Sequence, residues 1–247
     1  MSFTATFEVN TFKQIIAVLK SLFNEVNIIF GKDIVTMTLL DAARSGAIHA
    51  NLVPIIYENE GGDMNVFGVN LTTLYTFVRS GKKNDLLTFR SSTDNDILHA
   101  SITSSDGDET DLKECRFKMS IIPVVHVQIP YESYSFEVVI KHDYLYNVIN
   151  ALTSFSSTLK INIDRILEFE SGASSIDNSK FRLNKNVFVI NSGMENQSFI
   201  YEIKFIDKFL KKRICKEIRI GFMEDGTMGL HYNWDIHNNF VLLLSPI

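Results

Sequence analysis

The residues of this chain best placed to contact a charged ligand are four lysines on one short predicted helix. They lie in the segment FIYEIKFIDKFLKKR at 199–213 and are Lys204, Lys208, Lys211 and Lys212. At about 100° per residue this spacing puts them on one side of a helix over 201–214, opposite an apolar side that runs from Ile203 to Ile214. Ammonium groups with few aromatic residues among them suit phosphate contacts that do not read base sequence. A solvated lysine face is the alternative interpretation.

Two further predicted helices carry cations on their outward sides. The cations on or just after these helices, near 9–23 and 71–80, are Lys13, Lys20, Arg79, Lys82 and Lys83. A helix near 143–152 is the exception, because its polar side offers Asn147 and Asn150. The chain has a formal net charge of -5, with acidic residues concentrated at 58–63 and 104–111. Cations on helices and anions in loops indicate a directed field, so a polyanion is the expected partner.

No catalytic or cofactor motif occurs in the sequence. GxGxxG, GxxxxGK[ST], HExxH, GxSxG and paired CxxC patterns are absent, and Cys115 and Cys215 match no metal or redox spacing. Asp41, in LLDAARSG, is expected to act in a turn or cap rather than as a catalytic base. We therefore expect no enzyme activity, no metal and no cofactor. The alternative is an α+β enzyme or ligand carrier with an unrecognised site.

The chain also contains an internal repeat. Residues 67–102 match 199–234 without gaps at an offset of 132, so that Asp85 meets Glu217 and His99 meets His231. Each half is predicted as strand, helix, strands, helix and strands, which makes an α+β chain of two similar domains with antiparallel sheets. We place the domains at 1–118 and 135–247, with a connector at 119–134. No apolar run reaches a membrane span and the start lacks signal-peptide features, so an intracellular location is expected.

Several short motifs resemble the sliding clamps of the proliferating cell nuclear antigen type. They are GVNLT (68–72), LLDAARSG (39–46), IPYESYSFEV (129–138) and LLLSPI (242–247). The resemblance covers nearly the whole chain and implies the DNA-clamp fold, with two similar β-α-β domains per chain. In that fold three subunits close head to tail into a ring, helices line the hole and sheets form the outside. The edge strands that join subunits would lie at about 110–118 and 178–186.

The resemblance also implies a function and partners. A homotrimer of this family encircles double-stranded DNA as a processivity factor and tethers DNA polymerase and other replication and repair proteins. A clamp loader, and a location in the nucleus or at a viral replication site, would accompany that role. The nine cations named above match the inner-face positions of the family or lie beside them. A monomeric or dimeric clamp-like scaffold that does not encircle DNA is the alternative, and the divergence of the chain hints at a distant eukaryotic or viral member.

Partners of the family dock as short peptides in a pocket beneath the connector. Carried over residue by residue, the pocket would be formed by Leu40, Arg44, Ser45, Ala47, Val127, Ile129, Tyr134, Met228, Leu244, Ser245 and Pro246. Arg44 stands where the family usually has His, and Ser45 replaces an apolar residue. The peptide motif that fits this pocket is therefore left open by the sequence.

Overall fold

The computed structural model describes most of the chain and divides it into two units. The described residues are 3–59, 64–91, 97–104, 112–124, 127, 134–164, 166–171, 179–183, 187–233 and 238–247. The amino-terminal unit comprises Met1–Leu39 and His49–His126, and the carboxy-terminal unit comprises Leu40–Ile48 and Val127–Ile247. The domain boundaries drawn from the sequence stay a prediction.

The two halves of the chain contain the same elements in the same order. The first half contains β1 (Phe3–Glu8), α1 (Val9–Leu22), β2 (Glu25–Phe30), β3 (Val35–Leu40), β4 (Gly46–Leu52), β5 (Ile56–Asn59), β6 (Asn65–Asn70), α2 (Leu71–Arg79), β7 (Leu86–Ser91), β8 (Ile97–Thr103) and β9 (Lys113–Lys118). The second half contains β10 (Phe136–Lys141), α3 (His142–Leu152), β11 (Thr158–Ile163), β12 (Leu167–Ser171), β13 (Lys180–Leu183), β14 (Val187–Ser192), β15 (Gln197–Glu202), α4 (Ile203–Leu210), β16 (Glu217–Phe222), β17 (Met228–Asn233) and β18 (Asn239–Leu244). The predicted duplication is thus present as repeated architecture.

Antiparallel pairing builds the sheets of each unit. In the amino-terminal unit β5-β1-β7-β8-β9 form one sheet, and β4-β3-β2-β6 lie side by side. In the carboxy-terminal unit the orders are β14-β10-β16-β17-β18 and β13-β12-β11-β15. Strands β9 and β13 stand at sheet ends, where the sequence placed edge strands. Of those two predicted segments, residues 110–111, 178 and 184–186 fall outside the described ranges.

The helices bury their apolar sides, because each pairs an apolar stripe with a polar one. Phe12, Ile15, Ile16 and Leu19 of α1 are at most 1% exposed, and Ile203, Ile206 and Leu210 of α4 are also buried. Aromatic rings fill both interiors: the Phe12 and Phe89 centroids are 5.4 Å apart, and those of Phe209 and Phe240 are 4.9 Å apart. Within the described ranges, no helix is both long and apolar enough to cross a membrane.

The ungapped repeat is wrong beyond its helix, because α4 is one residue shorter than α2. Main-chain hydrogen bonds from Leu71 N–H to Asn24 O and from Ile203 N–H to Ser157 O make the two helix starts equivalent, at an offset of 132. The hydrogen bonds from Val9 N–H to Asp85 O and from His142 N–H to Lys216 O form the next equivalent pair, and their acceptor residues are at an offset of 131. Asp85 is therefore equivalent to Lys216 and not to Glu217. The His99–His231 match is wrong as well. The buried pair Phe89 and Ala100 has the same place in β7 and β8 as the pair Ile220 and Leu230 has in β16 and β17. His99 precedes Ala100, whereas His231 follows Leu230, so the two histidines are not equivalent.

The predicted helix over 201–214 is also too long. Residues 201 and 202 belong to β15, α4 ends at Leu210, and Lys211 is its carboxy-terminal cap. Lys212 and Ile214 therefore lie beyond the helix. Ile214 continues the helical spacing of apolar residues in the sequence, but the chain leaves the helix before it because β16 must begin at Glu217 to pair with β10.

The GVNLT motif has a local physical explanation. The Asn70 side chain caps α2 by accepting hydrogen bonds from Thr72 N–H at 3.0 Å and Thr73 N–H at 3.1 Å. A Cβ at Gly68 would overlap the carbonyl of Ser120, whose N–H donates to Gly68 O at 2.8 Å. The motif therefore starts a helix and lets the beginning of the connector lie against β6.

Candidate nucleic-acid interface and docking pocket

In the amino-terminal unit, ammonium groups gather where α1 meets the carboxyl end of α2. The Lys13 Nζ donates to Gly81 O at 3.2 Å, and the Lys113 Nζ donates to Ser80 O at 2.7 Å. The Lys20 Nζ lies 4.9 Å from the centre of the Tyr75 ring, a cation–π contact between the two helices. Cations are favourable at a helix carboxyl end because of its partial negative charge. These contacts orient Lys13 and Lys20, which the sequence predicted, on one surface.

Arg79, the last residue of α2, and Lys82 and Lys83, which follow the helix, continue this surface as exposed side chains. Lys113 was missed by the sequence reasoning. It lies on β9, where a period of two residues gives no sign that its amine reaches the end of a helix. The sequence carried no signal that would have found it.

In the carboxy-terminal unit the four predicted lysines are not equivalent. Lys204 forms an ion pair with Glu202, and its Nζ lies 4.9 Å from the centre of the Phe205 ring. Lys208 is half-buried, whereas Lys211 and Lys212 are exposed. A neighbouring carboxylate offsets the charge of Lys204. The two remaining exposed lysines of the four, Lys211 and Lys212, lie at and just after the carboxyl end of α4, where cations are favourable.

The amino end of α3 brings further cations close to the carboxyl end of α4, one of them paired with a carboxylate. The buried His142 Nε2 donates to Leu210 O at 2.9 Å, which holds the start of α3 against the end of α4. Arg213 pairs with Asp143 at 2.7 Å, and Lys141 and Lys216 are exposed nearby. Asn147 and Asn150 are exposed as predicted, so α3 brings no lysine of its own. These three cations were not predicted from the sequence, although Arg213 directly follows Lys211 and Lys212.

A tight turn between β3 and β4 shapes one side of the predicted docking pocket. The Asp41 carboxylate accepts hydrogen bonds from Gly46 N–H at 2.6 Å and from Ala43 N–H and the Ser45 hydroxyl at 3.2 Å each. Arg44 is exposed and has a positive φ of 58°. Ser245 N–H donates to Ser45 O at 3.0 Å. The turn role expected for Asp41 is confirmed.

An apolar cluster lies where this turn meets the last strand. Ala47, Val241 and Leu243 are buried together, and Leu40 and Val127 pack against them while partly exposed. Cross-strand neighbours share a face, and Leu243 lies opposite Gly229 while Val241 lies opposite His231. The structure thus brings together three predicted residues, Leu40, Ala47 and Val127, over a floor that the sequence did not predict.

Tyr134 occupies the next position on the same face. Its ring covers Gly221 and Gly229, where an added Cβ would overlap the ring or its hydroxyl. The Tyr134 hydroxyl is hydrogen-bonded to His231 Nε2 at 2.7 Å, and Asn191 Nδ2 donates to the Tyr134 carbonyl at 2.8 Å. Two glycines and two polar partners therefore fix this ring beside Leu243.

The remaining predicted pocket residues lie in different surroundings. Met228 and Leu244 are opposite each other and buried, on the face away from Leu243 because adjacent strand residues point to opposite sides. Ser245 is exposed and Pro246 is half-buried. Ile129 lies outside the described residues. The assignment of all eleven residues to a peptide pocket stays a prediction.

The buried His231 and its polar neighbours border the floor of the pocket. Arg219 pairs with Glu137, its Nη2 donating to Oε2 at 2.7 Å, and Arg219 lies opposite His231. Burial, and secondarily the Arg219 charge, lower the pKa of His231 from 6.5 to about 3. His231 is therefore neutral at pH 7.

We expect the stability of the protein to fall as the pH is lowered from 6.5 towards 5. The unfolded chain protonates His231 near pH 6.5 while the folded chain resists until about pH 3, so protons favour the unfolded state throughout that window. One such group contributes up to about 1.4 kcal/mol per pH unit. Urea unfolding of wild type and His231→Gln at pH 7 and pH 5 measures this. His49→Gln is the companion variant, because burial also lowers the pKa of His49. If the free energy of unfolding of His231→Gln depends on pH as strongly as that of wild type, the low pKa of His231 is contradicted.

The described residues form a mostly antiparallel α+β fold with four helices, and its repeated strand–helix order is that expected of sliding clamps. A family model described as "Proliferating cell nuclear antigen, N-terminal domain" matches residues 3–126, half of the chain. The chain therefore belongs to the proliferating cell nuclear antigen family of sliding clamps. A search of curated proteins found no match.

Proposed function

We propose that this chain is the subunit of a homotrimeric clamp that encircles duplex DNA and holds DNA polymerase and other replication and repair proteins on it. The observation that carries the proposal is the helix surface of each unit, where cations lie on or just after the helices of a clamp-family fold. The role makes and breaks no covalent bond, so we propose a protein that is not an enzyme. Loading by a clamp loader, and work at an intracellular site of replication such as the nucleus, belong to the same proposal.

The chemistry of the helix surface suits sliding. Lys82, Lys83, Lys211 and Lys212 end in exposed point charges, which attract phosphate without selecting a base. Contacts of this kind release counterions at every position along the duplex equally. A ring with such a lining stays on DNA by topology and still moves along it.

The internal duplication supports ring closure. Within the carboxy-terminal unit, the ninth strand of the second half, β18, lies beside Gly46–Ile48 at the start of β4, the fourth strand of the first half. When the two halves exchange roles, the corresponding strands are β9, the ninth strand of the first half, and β13, the fourth strand of the second half. Both stand at sheet ends. Pairing β9 of one copy with β13 of the next would repeat the arrangement already present within the chain. Such a contact is heterologous, so it generates a ring when the rotation closes.

We expect the purified chain to have three times the mass of one 28.1 kDa chain in solution. Light scattering at micromolar concentration tests this directly. A persistent monomer or dimer would contradict the ring and favour the alternative role, a clamp-like scaffold that does not encircle DNA.

The docking part of the proposal rests on the apolar cluster. Leu40 and Val127 are partly exposed over the buried Val241 and Leu243, and Tyr134 closes the neighbouring position. A short partner segment that places an apolar side chain between Leu40 and Val127 would cover this surface. Arg44 stands exposed at the tip of the adjacent turn.

A further inference from the structure

A row of basic side chains crosses one face of the amino-terminal sheet, away from the helices. Arg90 on β7 lies directly opposite His99 on β8, and His99 lies directly opposite Arg116 on β9. Directly opposite residues in antiparallel strands point to the same face, so the three side chains stand side by side. Both arginines are exposed, and His99 between them is half-buried.

Charge compensation of this row by the described residues is low. Among the described residues no ion pair involves Arg90 or Arg116. Two carboxylates lie near the row on the described strands. Glu58 is in the same row, two strands from Arg90 beyond Thr4, and Glu114 is on the adjacent row, opposite Ser101. Lys118 adds a further cation beside the row. Basic groups placed side by side are unfavourable without an anion between them.

The same face forms a depression suited to a small anion. Its volume is about 260 Å³, and Thr88, Arg90, His99, Ser101, Glu114 and Arg116 contribute to its lining. The two arginines lie on strands about 10 Å apart, and both side chains are long enough to converge over His99. Two guanidinium forks, an imidazole and hydroxyl groups offer more donors than the two oxygens of a carboxylate accept. A phosphoryl group has three terminal oxygens and matches arginine forks well.

We propose that Arg90, His99 and Arg116 bind one phosphoryl group, carried on a phosphorylated serine or threonine of a partner protein. Duplex DNA fits less well, because Glu58 in the same row and Glu114 on the adjacent row interrupt the cations, whereas a duplex presents a continuous track of phosphates. The row lies on the face of the sheet, and the proposed ring would use the main-chain edge of β9. The inference uses the amino-terminal unit alone and does not depend on ring closure.

The test is a calorimetric titration of the full chain with a phosphoserine peptide, the same peptide with serine, and inorganic phosphate. We expect the phosphoserine peptide to bind at least about a hundredfold more tightly than the serine peptide, which lacks the group that both arginines contact. Replacing both arginines in Arg90→Ala/Arg116→Ala should weaken binding about a hundredfold, because each charged hydrogen-bonding group accounts for roughly a factor of ten. Lys118→Ala, on the same face one row away, is the matched control and should change affinity less than about threefold.

A folding defect is separated from a binding defect by thermal unfolding. In phosphate-free buffer the double alanine variant should melt at or above the wild-type temperature, since it relieves crowding of cations, and phosphopeptide should raise the melting temperature of wild type only. If it fails to fold, Arg90→Lys/Arg116→Lys keeps the charges, loses the forks and should bind about tenfold more weakly. Wild-type affinity in the double variant, or no phosphopeptide binding, would overturn the proposal. Inorganic phosphate binding as tightly as the phosphopeptide would overturn the partner assignment, and displacement of the peptide by a short duplex would overturn it in favour of nucleic acid.

Discussion

Reversing the charge of Lys211 and Lys212 is expected to weaken DNA binding by at least about a hundredfold at low salt and to leave the oligomer intact. Both side chains are exposed at the carboxyl end of α4, and neither forms an ion pair among the described residues. Each phosphate contact that is lost reduces the number of counterions released on binding. The slope of log K against log salt should therefore fall by roughly one unit per contact. Fluorescence anisotropy of a labelled duplex across a salt series measures both quantities.

Two controls make this result specific to the helix surface. Lys32→Glu/Lys160→Glu reverses the same number of charges on a turn and on β11, and should have less than about a tenfold effect. Lys204→Glu alone should also be mild, because Glu202 already pairs with Lys204. Equal losses in the Lys211/Lys212 variant and the control pair would show that net charge alone is measured. A loss of the oligomer would show that α4 lies at a subunit contact.

Replacing Gly229 by alanine is expected to be the most destabilising single-methyl change near the pocket. The added Cβ would overlap the Tyr134 hydroxyl, and it would lie 2.7 Å from His231 Nε2. Moving the Tyr134 ring breaks its buried hydrogen bond and opens the neighbouring floor. Overpacking together with the lost hydrogen bond costs about 3 kcal/mol or more, and lowers the melting temperature by roughly 6 to 12 °C for a chain of this size. Urea unfolding and calorimetry measure the loss.

A double-mutant cycle isolates the clash with Tyr134. In a Tyr134→Ala background the ring is gone, so Gly229→Ala should cost much less than in wild type. Gly31→Ala is a second comparison, since its added Cβ would lie 3.1 Å from Ile34 O and should cost about 1 kcal/mol. Equal losses of stability from Gly229→Ala with and without the Tyr134 ring would contradict the proposed contact between this ring and Gly229. Partner peptides should bind Gly229→Ala weakly because the ring no longer flanks Leu243.

The order of elements was predictable from the sequence because local patterns decide it. Leu71, Leu74 and Val78 recur at helical spacing and are all buried in α2, and their counterparts Ile203, Ile206 and Leu210 are buried in α4. The end of α4 was not predictable. Ile214 continues the helical period, but pairing of β16 with β10 and the bond from His142 N–H to Lys216 O take the chain out of the helix. Tertiary pairing decides such boundaries.

The floor of the pocket shows where sequence reasoning stops. The segment FVLLL at 240–244 is apolar at every position, so alternation gives no sign of which residues share a face. The resemblance supplied Leu244, whereas register places Leu243 and Val241 beside Ala47. A shift of one residue moves a strand side chain to the other face, and only the pairing of β17 with β18 fixes the choice. Lys113 and Arg219 were missed for a similar reason, since their partners come from distant parts of the chain.

Topological retention on DNA tests encirclement most directly. Linear duplex is mixed with the chain at low salt, its ends are ligated to close the circle, and the DNA is washed at high salt so that only threaded rings remain. We predict that the protein stays on the closed circle, leaves when a restriction enzyme cuts it, and stays on cut DNA whose ends are blocked by bulky groups. Equal loss from closed and cut DNA in high salt would contradict encirclement.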